Sequence, residues 1–385
     1  MKPARRVPKP TTLELSTPPP TGGEPLSRAV IDLGHRLGFA AVGVGPAAPI
    51  THANELREWL ASAKHGEMRF MQDDLAVRLD PARVLEGTKS MIMVADAYAL
   101  YATSEQPPRT PRHDSKPPRP RGHIARYARG NDYHHTIKRR LRMLADTLRP
   151  HFPGHTFRSF ADTAPVHERE IAAALGLGWI GKHTLLINPD LGSYLLLGGI
   201  GTSLELTTPR DQRPIDDHCG SCTRCIDACP TKAITPYAVD ARACISYLTI
   251  EHESPIPEEH ERSIGSWLAG CDICQDVCPH NSTHAARDRN IAFRPEYTPR
   301  RDGFDLLEVL RWTERDRRNA FQTSALKRLT LAMMKRNSLI ALANHIQSTG
   351  DRSLVGVLDD LAWRPTEPRS VRDLASRLAR RLRGT

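Results

Sequence analysis

Apolar positions in the first half of the chain follow two spacings, which predict helices and short buried strands. Residues 26–37 carry apolar side chains at helical intervals, and residues 39–45 form a short apolar run that ends in glycine. Amphipathic helices are predicted at 54–63, 132–148 and 171–175, and further buried strands at 90–95, 184–187 and 194–200. We therefore expect an α/β domain from about residue 24 to 205.

Strand patterns disappear in the last third of the chain, where helices are predicted at residues 306–312, 318–321, 325–334, 339–348 and 371–383. Paired short helices without strands favour a HEAT-like repeat. Arg372, Arg377, Arg380, Arg381 and Arg383 give the last helix a basic face, which suits either nucleic acid or solvent. We expect an α+β multidomain chain: a disordered tail (1–23), the α/β domain (24–205), a ferredoxin-like domain (206–290) and a helical region (291–385).

Composition narrows the class of protein. The 385 residues carry a net charge of +10 and are 39% hydrophobic and 25% charged, as in a globular protein that attracts polyanions. Arginine enrichment from genome composition would give the same charge, so the charge alone does not identify nucleic acid as a partner. No stretch approaches the roughly 20 apolar residues of a membrane span, and the basic, proline-rich tail is no secretory signal. We expect a cytoplasmic protein without a membrane partner, and a disordered loop at 104–122.

All eight cysteines lie between Cys219 and Cys278. The first run has the spacing C-x2-C-x2-C-x3-C-P, and the second has C-x2-C-x3-C-P. In this spacing three cysteines wrap one [4Fe–4S] cluster, and the cysteine before proline serves the neighbouring cluster. The rule assigns Cys219, Cys222, Cys225 and Cys278 to cluster 1, and Cys229, Cys244, Cys271 and Cys274 to cluster 2.

Zinc binding and disulfide bonding account for the cysteines less well. Zinc ribbons use CxxC pairs, but two CxxxCP endings are not zinc spacing. Disulfides suit small secreted domains rather than a chain with hundreds of cysteine-free residues. The cysteines therefore indicate two iron–sulfur clusters and a role in electron transfer.

The segment upstream of the cysteines supplies candidate chemistry. Asp162 stands at a turn, where an aspartate commonly caps a helix, and a catalytic role would need its carboxyl protonated near neutral pH. The glycine-rich residues 176–181 fit either a close approach to a large planar ligand or a plain helix-to-strand turn. His183 and His218 are more typical of hydrogen-bonded structural histidines than of metal ligands.

In these residues and motifs the chain resembles the epoxyqueuosine reductases, which are cobalamin-dependent iron–sulfur enzymes of tRNA modification. The resemblance covers about residues 27 to 350, and C-I-S-Y-L-T-I-E at 244–251 is its most specific motif. Thr163 and His167 depart from the residues usual in the family. The other matching segments are 65–71, 126–127, 132–134, 162–169, 176–183, 192–194, 278–281 and 336–344.

The resemblance implies a substrate, a reaction and partners. The substrate is the epoxide of epoxyqueuosine at the wobble base of tRNAs for Tyr, His, Asp and Asn, which is reduced to queuosine with loss of water. Asp162 matches the family's proton donor, which reverses the preference for a helix cap. The helical region is expected to bind the tRNA anticodon arm. An external donor such as flavodoxin or ferredoxin and a monomeric state are also expected.

The resemblance also implies that the N-terminal domain binds cobalamin and is related to that of reductive dehalogenases. The chain has no DxHxxG motif, so cobalamin is expected in its base-off form. If residues 246–251 touch the corrin, cluster 2 is the one nearer cobalt and electrons enter through cluster 1. The expected cobalamin contacts are Arg78, Tyr127, Asp162, Trp179, Lys182, His183, Leu186, Leu197, Ser246 and Thr249.

Three other functions fit the chain less well. A corrinoid reductive dehalogenase would share the cofactors, but those enzymes resemble exported proteins with a twin-arginine signal. A ferredoxin-type electron carrier has no use for the large α/β domain. A nucleic-acid binding module with structural clusters has no use for a catalytic Asp162.

Overall fold

The computed structural model describes residues 17–99, 119–281 and 294–384. The predicted tail residues 1–16 and loop residues 104–118 lie outside these ranges. The strands are β1 (Ala41–Pro46), β2 (Ser90–Ala97), β3 (Arg121–Ile124), β4 (Phe157–Phe160), β5 (Trp179–Ile180), β6 (Leu186–Ile187), β7 (Leu195–Thr202), β8 (Ile234–Thr235), β9 (Ala238–Val239), β10 (Trp267–Ala269) and β11 (Gly303–Asp305).

The α-helices, in chain order, are α1 (Gly23–Arg36), α2 (Ala53–Ala61), α3 (Leu75–Leu79), α4 (Tyr133–Leu148), α5 (Glu168–Ala174), α6 (Arg224–Ala228), α7 (Ile245–Ile250), α8 (Glu258–Ile264), α9 (Ile273–Asp276), α10 (Leu306–Val309), α11 (Glu314–Phe321), α12 (Leu331–Thr349), α13 (Val355–Trp363) and α14 (Arg369–Arg383). Within the described ranges, none of them has the length and apolar character needed to cross a bilayer.

The central sheet has the strand order β1-β2-β7-β4, and every neighbouring pair is antiparallel. Ile92 and Val94 of β2 face α1 and α4, whereas Met91 and Met93 face α5 and β6 on the other side. β2 is buried at every position because both faces of the sheet are covered. The predicted mixture of helices and strands is confirmed. The antiparallel pairing makes this domain α+β rather than a unit of alternating parallel strands.

A second, smaller sheet joins distant parts of the chain. β3 lies between β10, to which it is parallel, and β11, to which it is antiparallel. These strands come from the first predicted domain, the cysteine-rich segment and the C-terminal region. The three segments therefore share one sheet, and the domain boundaries at 205 and 290 stay a prediction.

Helix α12 replaces two predicted helices, at 325–334 and 339–348. The hydroxyl of Thr330 caps its start by accepting from the N–H of Met333 at 3.2 Å, and the left-handed Gly350 ends it. The prediction of a break was wrong because Arg336 and Asn337 are polar but buried. Helix α13 was not predicted, since a glycine and two adjacent aspartates interrupt its apolar spacing. The HEAT-like repeat stays a prediction.

Arg336 and Asn337 tie the middle of α12 to the cysteine-rich segment. Their side chains donate five hydrogen bonds of 2.6–2.9 Å to backbone carbonyls of α7, of the turn after it and of β10. Buried carbonyls must be paired, so these contacts fix where the segment lies against the helix. The acceptors are Leu248, His252 and Ser254 for Arg336, and Thr249 and Leu268 for Asn337.

The arginines of α14 mostly serve contacts inside the molecule. Arg377 pairs with Glu261, which is fully buried, and Arg381 lies 2.7 Å from the same carboxylate. Arg383 pairs with Asp359 of α13. A buried carboxylate needs such partners, so these three side chains anchor α14 rather than forming a free basic face.

Replacing Arg336 with methionine should lower the free energy of unfolding by about 3 kcal/mol, because three backbone carbonyls, one of them in a buried hydrogen bond, lose a charged donor. Urea denaturation, followed by far-UV circular dichroism on the cluster-loaded protein, measures the change. Arg352→Met, at an exposed arginine, is the matched control. Equal denaturation midpoints for the two variants would show that the anchor contributes nothing to stability.

Candidate active site and cluster centre

A cavity of about 1980 Å³ lies between the central sheet, the cysteine-rich segment and the loop before α12. Pockets for drug-sized ligands typically measure roughly 300–1,000 Å³. This cavity therefore has room for a large cofactor together with part of a substrate. The C-terminal region contributes Ala325, Lys327 and Arg328 to its wall, so the cavity is built from all three segments of the chain.

Most of the residues predicted to contact a cofactor line this cavity. They come from the turn before α4, the turn after β4, the hairpin β5–β6, the central strand β7 and the start of α7. Separate parts of the sequence thus meet at one surface, as a large ligand requires. The lining residues are Tyr127, Asp162, Trp179, His183, Leu186, Leu197 and Ser246.

The remaining three predicted contacts lie outside the cavity wall. The guanidinium of Arg78 is buried and donates to the carbonyl of Phe70 at 2.7 Å. The hydroxyl of Thr249 is buried too, and donates to the carbonyl of Ile245. Each of the two side chains therefore serves the local backbone.

Lys182, the third, reaches away from the cavity. Its ammonium donates to the carbonyls of Gly220 and Cys222, at 2.6 and 3.1 Å. Lys182 thus braces the loop that carries the first cysteines.

The cysteines divide into two groups. Cys229, Cys244, Cys271 and Cys274 line the cavity, and the other four lie away from it. All eight belong to the described part of the chain, and no two of them form a disulfide. Within the described ranges, no three His, Cys, Asp or Glu side chains are close enough to bind a single metal ion.

Trp179 connects the cavity with the outer cysteines. Its side chain packs with Cys278 and Cys219 and also lines the cavity. The rings of His218 and His280 pack edge-on against it, with centroids 5.0 and 4.9 Å away. The indole therefore contacts both the outer cysteines and the cavity.

The glycine-rich segment forms the turn into β5 and the hairpin to β6. Gly176 has a left-handed φ of 76°, and a Cβ on Gly178 would lie 2.2 Å from the carbonyl oxygen of Ile187. Gly178 therefore lets the turn pack closely against the backbone of β6. Thr184 also has a positive φ, 66°, so the predicted strand at 184–187 shortens to β6.

Asp162 belongs to a row of polar groups that the sequence did not connect. Asp132 caps α4 and lies 2.7 Å from Nδ1 of His134, while Nε2 of the same ring lies 3.0 Å from Asp162. The ammonium of Lys327 lies 3.1 Å from the second oxygen of Asp132. An imidazole between two carboxylates is thus part of the cavity wall.

These contacts determine the protonation states of Asp162 and His134. Hydrogen bonding from His134 lowers the pKa of Asp162, so this carboxyl is ionised at neutral pH. Burial lowers the pKa of His134, but the hydrogen bonds to Asp132 and Asp162 outweigh it and raise the pKa to about 9. The protonated Asp162 that the sequence led us to expect is therefore replaced by an ion pair with a protonated His134.

The loop that carries Asp162 is held in an unusual conformation. Asp162 has a φ of 60°, which costs energy for a residue other than glycine. Its backbone N–H donates to the carboxylate of Glu168 at 2.7 Å, and Lys138 donates to the hydroxyl of Thr163 at 2.6 Å. Burial raises the pKa of Glu168 to about 8.

His134, Glu168 and Lys327 were missed as site residues. His134 and Glu168 both lie inside segments that carry the family resemblance, at 132–134 and 162–169, which was the only signal for them. No sequence pattern indicated Lys327, because its contact with Asp132 spans 195 positions.

A buried ring nitrogen of His183 at the cavity has no hydrogen-bond partner among the described residues. Nδ1 of His183 accepts from the N–H of Leu185 at 3.2 Å, so Nε2 carries the hydrogen, and it is unpaired. Buried donors without acceptors are costly, so His183 indicates a bound group with acceptor atoms in the cavity. The indole of Trp179, in contrast, interacts with the thiol of Cys219 and opposes the burial that raises the pKa of that thiol.

Comparison with known proteins agrees with this geometry. The family described as "4Fe-4S double cluster binding domain" matches residues 218–281, which hold all eight cysteines. The family described as "Epoxyqueuosine reductase QueG, DUF1730" matches residues 78–163, up to the loop that carries Asp162. The prediction of two [4Fe–4S] clusters is therefore confirmed.

Whole-chain relatives extend the match. The epoxyqueuosine reductase of Pseudomonas aeruginosa is 37% identical over 340 residues, which cover 88% of this chain and 90% of that protein. A crystal structure of an epoxyqueuosine reductase with an epoxyqueuosine-modified tRNA-Tyr stem loop has a TM-score of 0.78 at 27% identity, covering 93% and 90% of the two chains. The Bacillus subtilis enzyme, with its catalytic aspartate loop swung out of the active site, has a TM-score of 0.77 at 27% identity, covering 92% and 89%. The chain belongs to the epoxyqueuosine reductase family.

Proposed function

We propose that this protein reduces epoxyqueuosine to queuosine in tRNA, with Asp162 delivering a proton to the epoxide oxygen. The observation that carries the proposal is the meeting of Asp162 with four cluster cysteines in one large cavity. An electron source and a proton source at one wall are what the reduction of an epoxide needs. Family membership sets aside the dehalogenase, the simple electron carrier and the binding module.

The residues at the cavity fit a bound cobalamin. The volume is large enough, and the unpaired donor of His183 matches the amide and phosphate acceptors that this cofactor carries. Leu186, Leu197, Tyr127 and Ser246 would complete the walls that hold it. Bound cobalamin would supply low-valent cobalt as a nucleophile and reductant. Residues of the chain then have to bind the substrate, exclude water and move protons.

Cluster 2 is the one from which electrons reach the cavity, because its proposed ligands form part of the wall. The proposed ligands of cluster 1 lie away from the cavity, and two of them, Cys219 and Cys278, pack with Trp179. An external reductant therefore meets cluster 1 first, and electrons pass inward through cluster 2.

The reduction of the epoxide consumes protons as well as electrons. Conversion of the epoxide into the cyclopentene breaks two C–O bonds, forms one C=C bond and releases the oxygen as water, which consumes two electrons and two protons. Asp162 faces the cavity with 54% of its side chain accessible, so its carboxyl can reach a substrate oxygen. Glu168, which binds the backbone of Asp162, keeps that carboxyl turned inward.

The substrate is a tRNA, which is expected to contact the C-terminal region. A related structure holds a tRNA stem loop, and the loop before α12 places Lys327 and Arg328, which pair with Asp132 and Glu251, at the cavity wall. The C-terminal helices would then form the tRNA-binding repeat, in a cytoplasmic monomer that flavodoxin or ferredoxin reduces.

Asp162→Asn should lower the rate of epoxyqueuosine conversion by at least about 100-fold, because a general acid typically contributes that much. The assay is anaerobic single turnover with reductant and added cobalamin, followed by mass spectrometry of tRNA nucleosides. Asp146→Asn, on the exposed side of α4, is the matched control. A wild-type protein with both clusters and cobalamin that forms no queuosine would contradict the proposed function.

Serine variants test the division of the cysteines. Cys278→Ser should disturb the same cluster as Cys219→Ser, although 59 positions separate them, whereas Cys271→Ser should disturb the other. Electron paramagnetic resonance of the reduced protein distinguishes the two signals, and iron analysis should show loss of up to half the iron. If the Cys278 and Cys271 variants lose the same signal, the division is wrong.

A further inference from the structure

We propose that His134 stores, as an imidazolium, the proton that Asp162 passes to the epoxide oxygen. The proposal rests on the proposed function and adds a second acid–base residue to it. Asp162 would then be the group that touches the substrate, and His134 would be the group that supplies Asp162 with its proton.

The geometry requires both nitrogens of the ring to donate. Nδ1 lies 2.7 Å from a carboxylate oxygen of Asp132, and Nε2 lies 3.0 Å from a carboxylate oxygen of Asp162. A neutral imidazole has one N–H and can satisfy only one of these acceptors, whereas an imidazolium satisfies both. Both distances are those of charge-assisted hydrogen bonds. The ring is therefore charged when the three groups are in place.

The groups around the ring favour this state over its alternatives. Tyr133 stacks on the imidazole with centroids 4.0 Å apart, which restricts its orientation. Lys327 holds the second oxygen of Asp132, so Asp132 stays ionised and does not take the proton from Nδ1. Other titratable groups of the described residues also act on this cluster. His135 lies 3.8 Å from Asp132, and Tyr133 hydrogen-bonds to Asp162. Arg328 and Arg169 favour the ionised form of Asp162, whereas Glu251 opposes it.

Glu168 is the competing proton source, and the geometry disfavours it. Its carboxyl binds the backbone N–H of Asp162, and within the described residues no hydrogen bond joins the two carboxyl groups. A proton on Glu168 therefore has no direct path to the oxygen that faces the substrate. His134, in contrast, already hydrogen-bonds to Oδ2 of Asp162.

The transfer balances without a further reactant. The Nε2–H bond breaks and an O–H bond forms on Asp162, which leaves a neutral imidazole that keeps its Nδ1–H on Asp132. Asp162 then gives the proton to the oxygen of the opening epoxide. His134 lies in the first turn of α4, where the helix dipole disfavours a cation, so the helix favours release of the proton. A proton from bulk solvent, relayed by water at the cavity mouth, recharges the ring before the second protonation.

The first test is a histidine titration by NMR on the cluster-loaded protein without tRNA. The His134 resonance, assigned by its loss in His134→Gln, should titrate well above the ordinary pKa of 6.5, near the value of about 9 that its two carboxylates give. Asp132→Asn keeps the helix cap but removes a charge, so the titration should move to lower pH. A His134 that titrates near pH 6.5 in the wild type would overturn the proposal, whatever the activity.

The second test is the pH profile of single-turnover conversion. The wild-type rate should fall as the pH rises through the pKa of His134, because the neutral ring has no proton to give. Asp132→Asn should move this alkaline limb to lower pH, and His134→Gln should lower the rate about 100-fold and abolish the limb. His151→Gln, at an exposed histidine just beyond the other end of α4, should match the wild type.

The outcomes separate this proposal from the function on which it rests. If Asp162→Asn is inactive while His134→Gln keeps the wild-type rate and alkaline limb, the proton comes from elsewhere and only this inference fails. Glu168→Gln then becomes the decisive variant. If the loaded wild type forms no queuosine, the function itself fails, and the NMR titration still decides where the proton resides.

Discussion

The attachment of α12 to the cysteine-rich segment holds the molecule together. Arg336 and Asn337 donate to five backbone carbonyls, three of them in buried hydrogen bonds. Because α7 follows directly after Cys244, these bonds also fix the position of one cysteine at the cavity. The loop before α12 reaches the opposite wall, where Lys327 meets Asp132. One polar anchor therefore positions both the electron-transfer side and the acid–base side of the site.

The electrostatics of the site follow from burial and pairing rather than from any single residue. Asp162 alone would be an ordinary surface carboxyl, and His134 alone would be mostly neutral at physiological pH. Placed 3.0 Å apart with Asp132 behind the ring, they become an ion pair in which the proton resides on nitrogen. The site thus keeps a proton close to a substrate oxygen without a protonated carboxylic acid at rest. The acid is created only when the reaction draws on it.

Local sequence patterns predicted the features that depend on local chemistry. The apolar run of β2 and the basic helix α4 both depend on neighbours along the chain, and both predictions agree with the structure. The spacing of the cysteines is also local, and the family match supports the two clusters it predicted. Lys182 was assigned to the cofactor because its segment carries the resemblance, but its partners Gly220 and Cys222 are about 40 positions away. The polar middle of α12 was taken for a break because its acceptors are more than 60 positions distant. Contacts of this kind are invisible to periodicity.

The small sheet has a consequence for how the protein is made. A chain leaving the ribosome exposes β3 long before its neighbours β10 and β11 exist, since they lie some 145 and 180 residues further along. The central sheet, whose last strand ends at Thr202, can form earlier. The cysteines are therefore synthesised while the wall that will enclose them is incomplete. Until the last hundred residues fold, the cysteines lack one wall of the cavity, so clusters inserted before that point would meet a more open site than clusters inserted afterwards.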